Sequence, residues 1–129
     1  MKTKSVLWAS RHDIGEAQRR DLLRLLSSSE GESYMVLEDS VIIWESTESE
    51  EDDNASNAYM WMELASKFDA VCGVFPPSSL IALWIARDEA DQGNTDFECV
   101  RKLRVFTPIS EVTTRFSEKK FRYLRMQEI

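Results

Sequence analysis

The sequence predicts one α/β domain over residues 1–129, a three-layer sandwich with a mostly parallel sheet and a C-terminal antiparallel hairpin. Three observations predict it. Val6-Leu7-Trp8-Ala9 and Ala70-Val71-Cys72-Gly73-Val74-Phe75 are short, nearly unbroken apolar runs, the pattern of strands buried on both faces. The stretches between them repeat apolar residues at helical spacing. Two segments around Ser117-Glu118-Lys119 then read as a closing hairpin. A chain of 129 residues fits a single domain and can bury roughly two-thirds of its unfolded surface without disulfides or a metal.

The elements follow in order. Lys4 to Ala9 reads as a first strand. Asp13 and Glu16 have the spacing of a capping box, and a helix to about residue 28 carries Ile14, Ala17, Leu22, Leu25 and Leu26 on one face. Tyr34 to Leu37 and Val41 to Trp44 form one bent strand or two short ones. Glu45 to Asp53 holds six carboxylates and no apolar side chain, which reads as a solvated loop. Asn54 to Phe68 is a second helix with Ala58, Met62 and Ala65 inward and Tyr59 and Trp61 beside them. Asp69 to Phe75 is the next strand, and Pro76-Pro77 breaks it. Ser78 or Ser79 is a natural N-cap for a third helix that runs to about Asp91, where Gly93-Asn94 stops it. Val100 to Phe106 is a strand ended by Pro108, and Glu111 to Phe116 pairs with Lys120 to Gln127. Strand–helix alternation of this kind is of Rossmann-like type.

Composition narrows the function classes. No apolar run approaches the ~18 residues of a membrane span. The apolar core after Met1-Lys2-Thr3-Lys4 is too short for a signal peptide, so a cytoplasmic protein is expected. Cys72 and Cys99 form no Cys-x-x-Cys, and with His12 as the one histidine no zinc site is expected. Cys72 reads as a small core residue. The net charge is −7, unevenly spread. Residues 1–99 hold 8 Lys/Arg against 20 Asp/Glu, a balance of −12, while residues 100–129 hold 8 against 3, a balance of +5. The acidic bulk argues against binding duplex DNA, which needs a broad basic surface.

Ligands of open parallel sheets bind beyond the carboxyl ends of the strands, near the switch in strand order. Three segments fall there: Ser10-Arg11-His12-Asp13, Pro76-Pro77-Ser78-Ser79 and Thr107-Pro108. The first is the richest. Arg11 can donate two parallel bonds to a phosphate, His12 can move a proton near neutral pH, and Ser10 can position an anion or a substrate hydroxyl. The segment also opens a helix, whose amide groups favour an anion. Arg11 and His12 are the candidate catalytic residues, and Ser10, Ser78, Ser79 and Thr107 the candidate ligand-binding residues; no metal or cofactor is expected. The same tripeptide also fits an inert turn in which Ser10 satisfies backbone groups, Arg11 pairs with carboxylates and His12 packs at the helix entry. No Gly-x-Gly-x-x-Gly, Walker loop or Gly-x-Ser-x-Gly is present. Lys119-Lys120-Phe121-Arg122-Tyr123-Leu124-Arg125 suits nucleotides by charge and stacking, but it reads better as an edge strand guarded against pairing.

Val6-Leu7-Trp8-Ala9-Ser10-Arg11-His12, Phe68-Asp69-Ala70-Val71 and Phe121-Arg122-Tyr123-Leu124-Arg125-Met126-Gln127-Glu128 together resemble a group of small Rossmann-like proteins. These occur in phage-derived regions and beside type III CRISPR systems, and some are ring nucleases that degrade cyclic oligoadenylates. The resemblance implies metal-independent attack of a ribose 2′-hydroxyl on the neighbouring phosphate. Arg11 would then clamp the phosphate, His12 would shuttle a proton or donate a hydrogen bond, and Ser10 and Ser78 would position the ligand. A two-fold homodimer would match a symmetric cyclic ligand. The acidic 45–53 segment and the glycine-free Pro76-Pro77 turn depart from what a polyanion site favours. The competing expectation is a non-catalytic acidic protein, phage-encoded or not, that binds and blocks a basic site on a host protein.

Overall fold

The computed structural model of the chain describes residues 2–10, 12–27, 32–38 and 42–129. Its elements are β1 (Lys2–Ala9), α1 (Glu16–Leu26), β2 (Glu32–Leu37), α2 (Glu50–Lys67), β3 (Ala70–Gly73), α3 (Pro77–Asp91), α4 (Glu98–Lys102), β4 (Arg104–Arg115) and β5 (Glu118–Glu128). A short 3-10 turn, Thr95–Phe97, precedes α4. The five strands form one mixed sheet in the order β2-β1-β3-β4-β5. Four strands are parallel, and β5 pairs antiparallel with β4. The expected α/β class and C-terminal antiparallel pair are both present. No helix among the described residues is long and apolar enough to cross a membrane.

The strand period of two sorts the core. Val6, Trp8, Ala70, Cys72 and Phe106 turn to one face, where Leu22 and Leu26 of α1 and Met126 of β5 cover them. Leu7, Val71 and Val105 turn to the other, where they meet Ala58, Trp61 and Leu64 of α2, Ala82, Leu83 and Ala86 of α3, and Val100 of α4. Helices therefore cover both faces, and the face of α2 and α3 carries the larger apolar load. Trp61 is fully buried there and donates its indole N–H to the Ser79 carbonyl at 2.7 Å.

Several boundaries differ from the sequence expectation, each for a physical reason. The N-cap of α1 is Gly15 rather than Asp13, and the helix starts at Glu16, because the Gln18 side chain accepts the Gly15 N–H at 2.9 Å. The 45–53 segment is not all loop. Ser49 accepts from the Asp52 amide, and Glu50, Glu51, Asp52 and Asp53 form the first turn of α2, where carboxylates are favoured by the helix dipole. Asp53 is buried and accepts from the Thr47 amide at 2.6 Å and the Thr47 hydroxyl at 2.7 Å. Asn57, also buried, exchanges two hydrogen bonds with the Glu45 backbone. These side chains hold 42–47 against α2 as non-strand chain, so no strand forms over 42–44; Val41 lies outside the described residues.

Pro76, not Ser78 or Ser79, is the N-cap of α3, and Pro77 occupies the first helical position, where a missing N–H costs nothing. Residues 98–102 form α4 instead of strand, and β4 runs straight through Pro108. The last pair between β3 and β4 is Cys72 with Phe106, so β4 has an open side beyond that point and proline is tolerated. The hairpin turn falls at Phe116-Ser117, both with positive φ of 52° and 66°. This is the backbone of the two-residue turn that matches strand twist.

Candidate functional site

The strand order fixes where to look. The chain leaves β1 for β2 on one side and returns to β3 on the other, so the order switches between β1 and β3. Their carboxyl ends meet at Ala9 and Gly73, which are register partners. The approach is close: a Cβ on Gly73 would lie 2.6 Å from the Ala9 carbonyl oxygen. Only glycine brings the two strand ends together at this distance.

The turn after β1 is shaped by its own side chains. The Trp8 indole N–H donates to the His12 carbonyl at 2.6 Å, and the Ser10 hydroxyl oxygen accepts the His12 amide at 3.3 Å. His12 is exposed, and among the described residues its imidazole makes no hydrogen bond. Arg11 lies outside the described residues. Ser10 thus does the backbone work that the inert-turn reading assigns to it, while His12 does not pack into the helix entry.

Two cavities adjoin this turn. The first, about 470 Å³, is lined by Ala9, Ser10, His12, Ile42, Trp44, Val74, Phe75 and Pro76. The second, about 400 Å³, is lined by Trp8, Ser10, His12, Asp13, Gln18, Gly73, Val74, Pro108, Ser110 and Phe121. Ser10, His12 and Val74 are common to both. The first cavity has an aromatic wall. Trp44 lies 4.8 Å from Trp61 and 6.2 Å from Phe75, ring centre to ring centre, and Trp61 lies 5.2 Å from Phe75. Trp44 and Phe75 line this open cavity, Trp61 packs behind them, and Ser10 and His12 supply polar groups beside the rings.

The amide groups at the start of α1, expected to favour an external anion, are in use. The Ile14 N–H donates to Glu38 Oε1 at 2.7 Å, the Gly15 N–H is held by Gln18, and Glu38 also faces Arg19 at 4.0 Å. An internal carboxylate already satisfies this end. Among the described lining residues of the two cavities, Asp13 is the one carboxylate and there is no lysine or arginine.

The remaining sequence candidates are not brought together here. Ser79 is fully buried, and its hydroxyl donates to the Pro76 carbonyl at 2.7 Å, which ties it to the start of its own helix. Ser78 is half-buried in the first turn of α3 and lines neither cavity. Thr107 pairs with Gln127 and lines neither. Sequence reasoning missed Trp44 and Phe75; it named the stretch holding Phe121 as suited to nucleotides but preferred an edge-strand role for it. Phe75 follows β3 directly, so the strand-end rule that selected Pro76 and Ser78 could have found it. Cys72 is no nucleophile: burial pushes its thiol up to about 12, and it contacts the Met126 sulfur at 3.5 Å.

A third cavity lies apart from the rim. Its walls are Glu51, Asn54, Ala55, Ala58 and Tyr59 of α2, Ile85 and Glu89 of α3, and Phe97, enclosing about 380 Å³. The carboxylates of the two helices therefore share one groove with an apolar floor. No protein-family model, curated protein or solved structure matches the chain.

Proposed function

We propose that the chain is a Rossmann-like three-layer domain whose carboxyl-end rim binds a phosphate-bearing, nucleotide-like ligand, with a cyclic oligonucleotide as the substrate class. The observation that carries this reading is the position of Ser10 and His12 on the wall common to two cavities at the β1/β3 switch. A base would lie against Trp44 and Phe75, and Phe121 offers a second ring across the rim. Arg11 would clamp the phosphate. The reaction that suits these groups needs no metal. The 2′-oxygen forms a bond to phosphorus while the bond to the 5′-oxygen breaks, leaving a 2′,3′-cyclic phosphate and a 5′-hydroxyl. His12 takes the proton of the 2′-hydroxyl or returns one to the leaving oxygen. Arg11 stabilises the charge that develops on phosphorus.

The test is incubation with labelled cyclic oligoadenylates in a chelator at micromolar protein. Turnover that falls about 100-fold or more in His12→Ala supports the assignment, within the usual range for a proton-transfer group. Neither binding nor turnover by the unaltered protein defeats the nucleotide reading. Full turnover in both Arg11→Ala and His12→Ala defeats the site instead.

A second reading, a non-catalytic acidic interaction protein, draws on a separate observation. Glu51 and Glu89 stand on one continuous groove with an apolar floor, which suits a basic segment of a partner protein. A host protein is the partner class this reading entails. Pull-down with Glu51→Lys as the control tests it.

A further inference from the structure

The arm formed by the outer parts of β4 and β5 has no partner for its apolar residues. Every residue from Ser110 to Arg122 is exposed. An isolated two-stranded ribbon is marginal in water, and this one shows Val112 at 53%, Phe121 at 71% and Phe116 at 90% exposure. Phe116 sits at the tip, in the turn, with the Arg115 guanidinium 5.8 Å from its ring centre. Lys119 and Lys120 stand just across the turn, paired with Thr114 and Thr113. Glu118 stands opposite Arg115, so the tip is an aromatic knob with three cations, Arg115, Lys119 and Lys120, against one carboxylate.

The α2–α3 groove is its complement. Ala55, Ala58, Ile85 and the rings of Tyr59 and Phe97, 6.0 Å apart, make an apolar floor, and Glu51 and Glu89 flank it. The groove belongs to the acidic part of the chain and the knob to the basic part. About 380 Å³ is room for a phenyl ring with part of a neighbouring side chain. Continuing from the groove, Trp84 is 57% exposed and Ile81 39%, an apolar surface that a docked ribbon would cover.

We infer that the occupant of this groove is the arm of a second copy of the chain. Phe116 seats on the floor, and Arg115 and Lys120 pair with Glu51 and Glu89. This rests on the interaction reading of the groove and puts a second copy of the chain in place of a host protein as its partner. Reciprocal insertion closes a two-fold dimer, whereas one-way insertion builds an open chain of copies. Like charges within each patch disfavour knob on knob and groove on groove, so charge selects the cross-pairing.

The experiment measures molecular mass by sedimentation across micromolar to millimolar protein at low salt. Self-association is expected, weakened roughly tenfold or more by Phe116→Ser and again by Glu51→Lys with Glu89→Lys, in the manner of a hot-spot contact. Mixing that groove variant with an Arg115→Glu, Lys120→Glu arm variant is expected to restore association between the two, since reversed charges match again. Both variants must keep the circular-dichroism spectrum of the unaltered chain; Glu89 is half-buried and accepts from Asn94 Nδ2 at 3.2 Å, so Glu51→Lys alone serves as the second groove variant if the double one unfolds more easily. A chain that stays monomeric throughout overturns the inference. If that monomer still binds a synthetic Arg/Phe/Lys peptide through Glu51 and Glu89, the groove reading survives and only the second-copy partner is lost. Association indifferent to both variants overturns both.

Discussion

Within β4, Arg104, Val105 and Phe106 pair with β3, and Phe106 also with β5, whereas the residues after Phe106 are paired with β5 alone. Val105 and Phe106 are fully buried; Val112, at the same kind of alternating position further out, is half exposed. The two parts are one strand by backbone geometry and differ in what covers them. In the body, α1 on one face and α2, α3 and α4 on the other cover the buried apolar side chains of the sheet. In the arm, cross-strand pairs such as Val112 with Phe121 are the whole of the support. The body is built for stability, and the arm has surface to spare for contact. Substitutions in the two regions should therefore separate cleanly between unfolding and association.

The largest effect is expected in the body. Trp61 fills the space between α2, α3 and the end of β3 and also holds the Ser79 carbonyl, so Trp61→Ala removes a large ring and leaves a buried acceptor unpaired. The cost is about 3–5 kcal/mol. Urea unfolding measures it; a loss below 1 kcal/mol would mean that the aromatic wall of the first cavity carries little of the fold. Gly73→Ala comes next. Its Cβ would meet the Ala9 carbonyl, which is backbone and has no rotamer to change. The strands must part, at about 1–3 kcal/mol for an overpacked site. Because Ala9 leads into Ser10 and His12, the same variant is expected to weaken nucleotide binding at the rim, whereas arm-mediated association should be unaffected.

The body was largely legible in the sequence, since its apolar runs are short and continuous and its helices periodic. Where it was misread, side-chain bonds to distant backbone decided the outcome. Thr47 with Asp53 and Glu45 with Asn57 turn an expected strand and loop into a strap and a helix start, and a composition count sees only carboxylates there. Pro108 was taken to end β4 because the open side created by the end of β3 is a matter of register, which sequence does not carry. At the rim, strand-end position selected Ser10 and His12, but the aromatic wall escaped because Trp44 reaches the cavity from a segment that is neither strand nor helix. Glu38 at the start of α1 escaped for a similar reason: it lies far from Ile14 in sequence.

The arm offers a smaller test with the opposite sign. Ser117 has a φ of 66°, a backbone region that suits glycine better than serine. Ser117→Gly is expected to add about 0.5 kcal/mol, seen as a slightly higher unfolding midpoint, and to leave Phe116-dependent association intact. If it lowers stability instead, the turn at 116–117 is not the two-residue turn described.

The smallest effect concerns the base of the β4–β5 pair, at the end away from the arm. Arg104 donates two bonds of 2.8 Å to the Glu128 carboxylate, tying the start of β4 to the end of β5, and Tyr123 donates to Asp21 of α1 at 2.7 Å. The Arg104 bonds hold Glu128 below the usual carboxylate range, and the Tyr123 hydroxyl does the same for Asp21. Both carboxyls are thus more acidic folded than unfolded. Their contribution is complete above the ordinary carboxylate value and is lost as pH falls through the lowered folded value. The Arg104–Glu128 pair is about one-third to two-fifths exposed, so solvent screening leaves it under about 1 kcal/mol. Unfolding midpoints followed from pH 7 down to about 3 should fall less steeply in Glu128→Gln than in the unaltered chain. Parallel curves would place the acid sensitivity elsewhere. High salt separates this pair from the arm, since it screens the many charges of a docked arm far more than one bidentate pair. Association should drop sharply with salt while the acid slope set by Glu128 changes little.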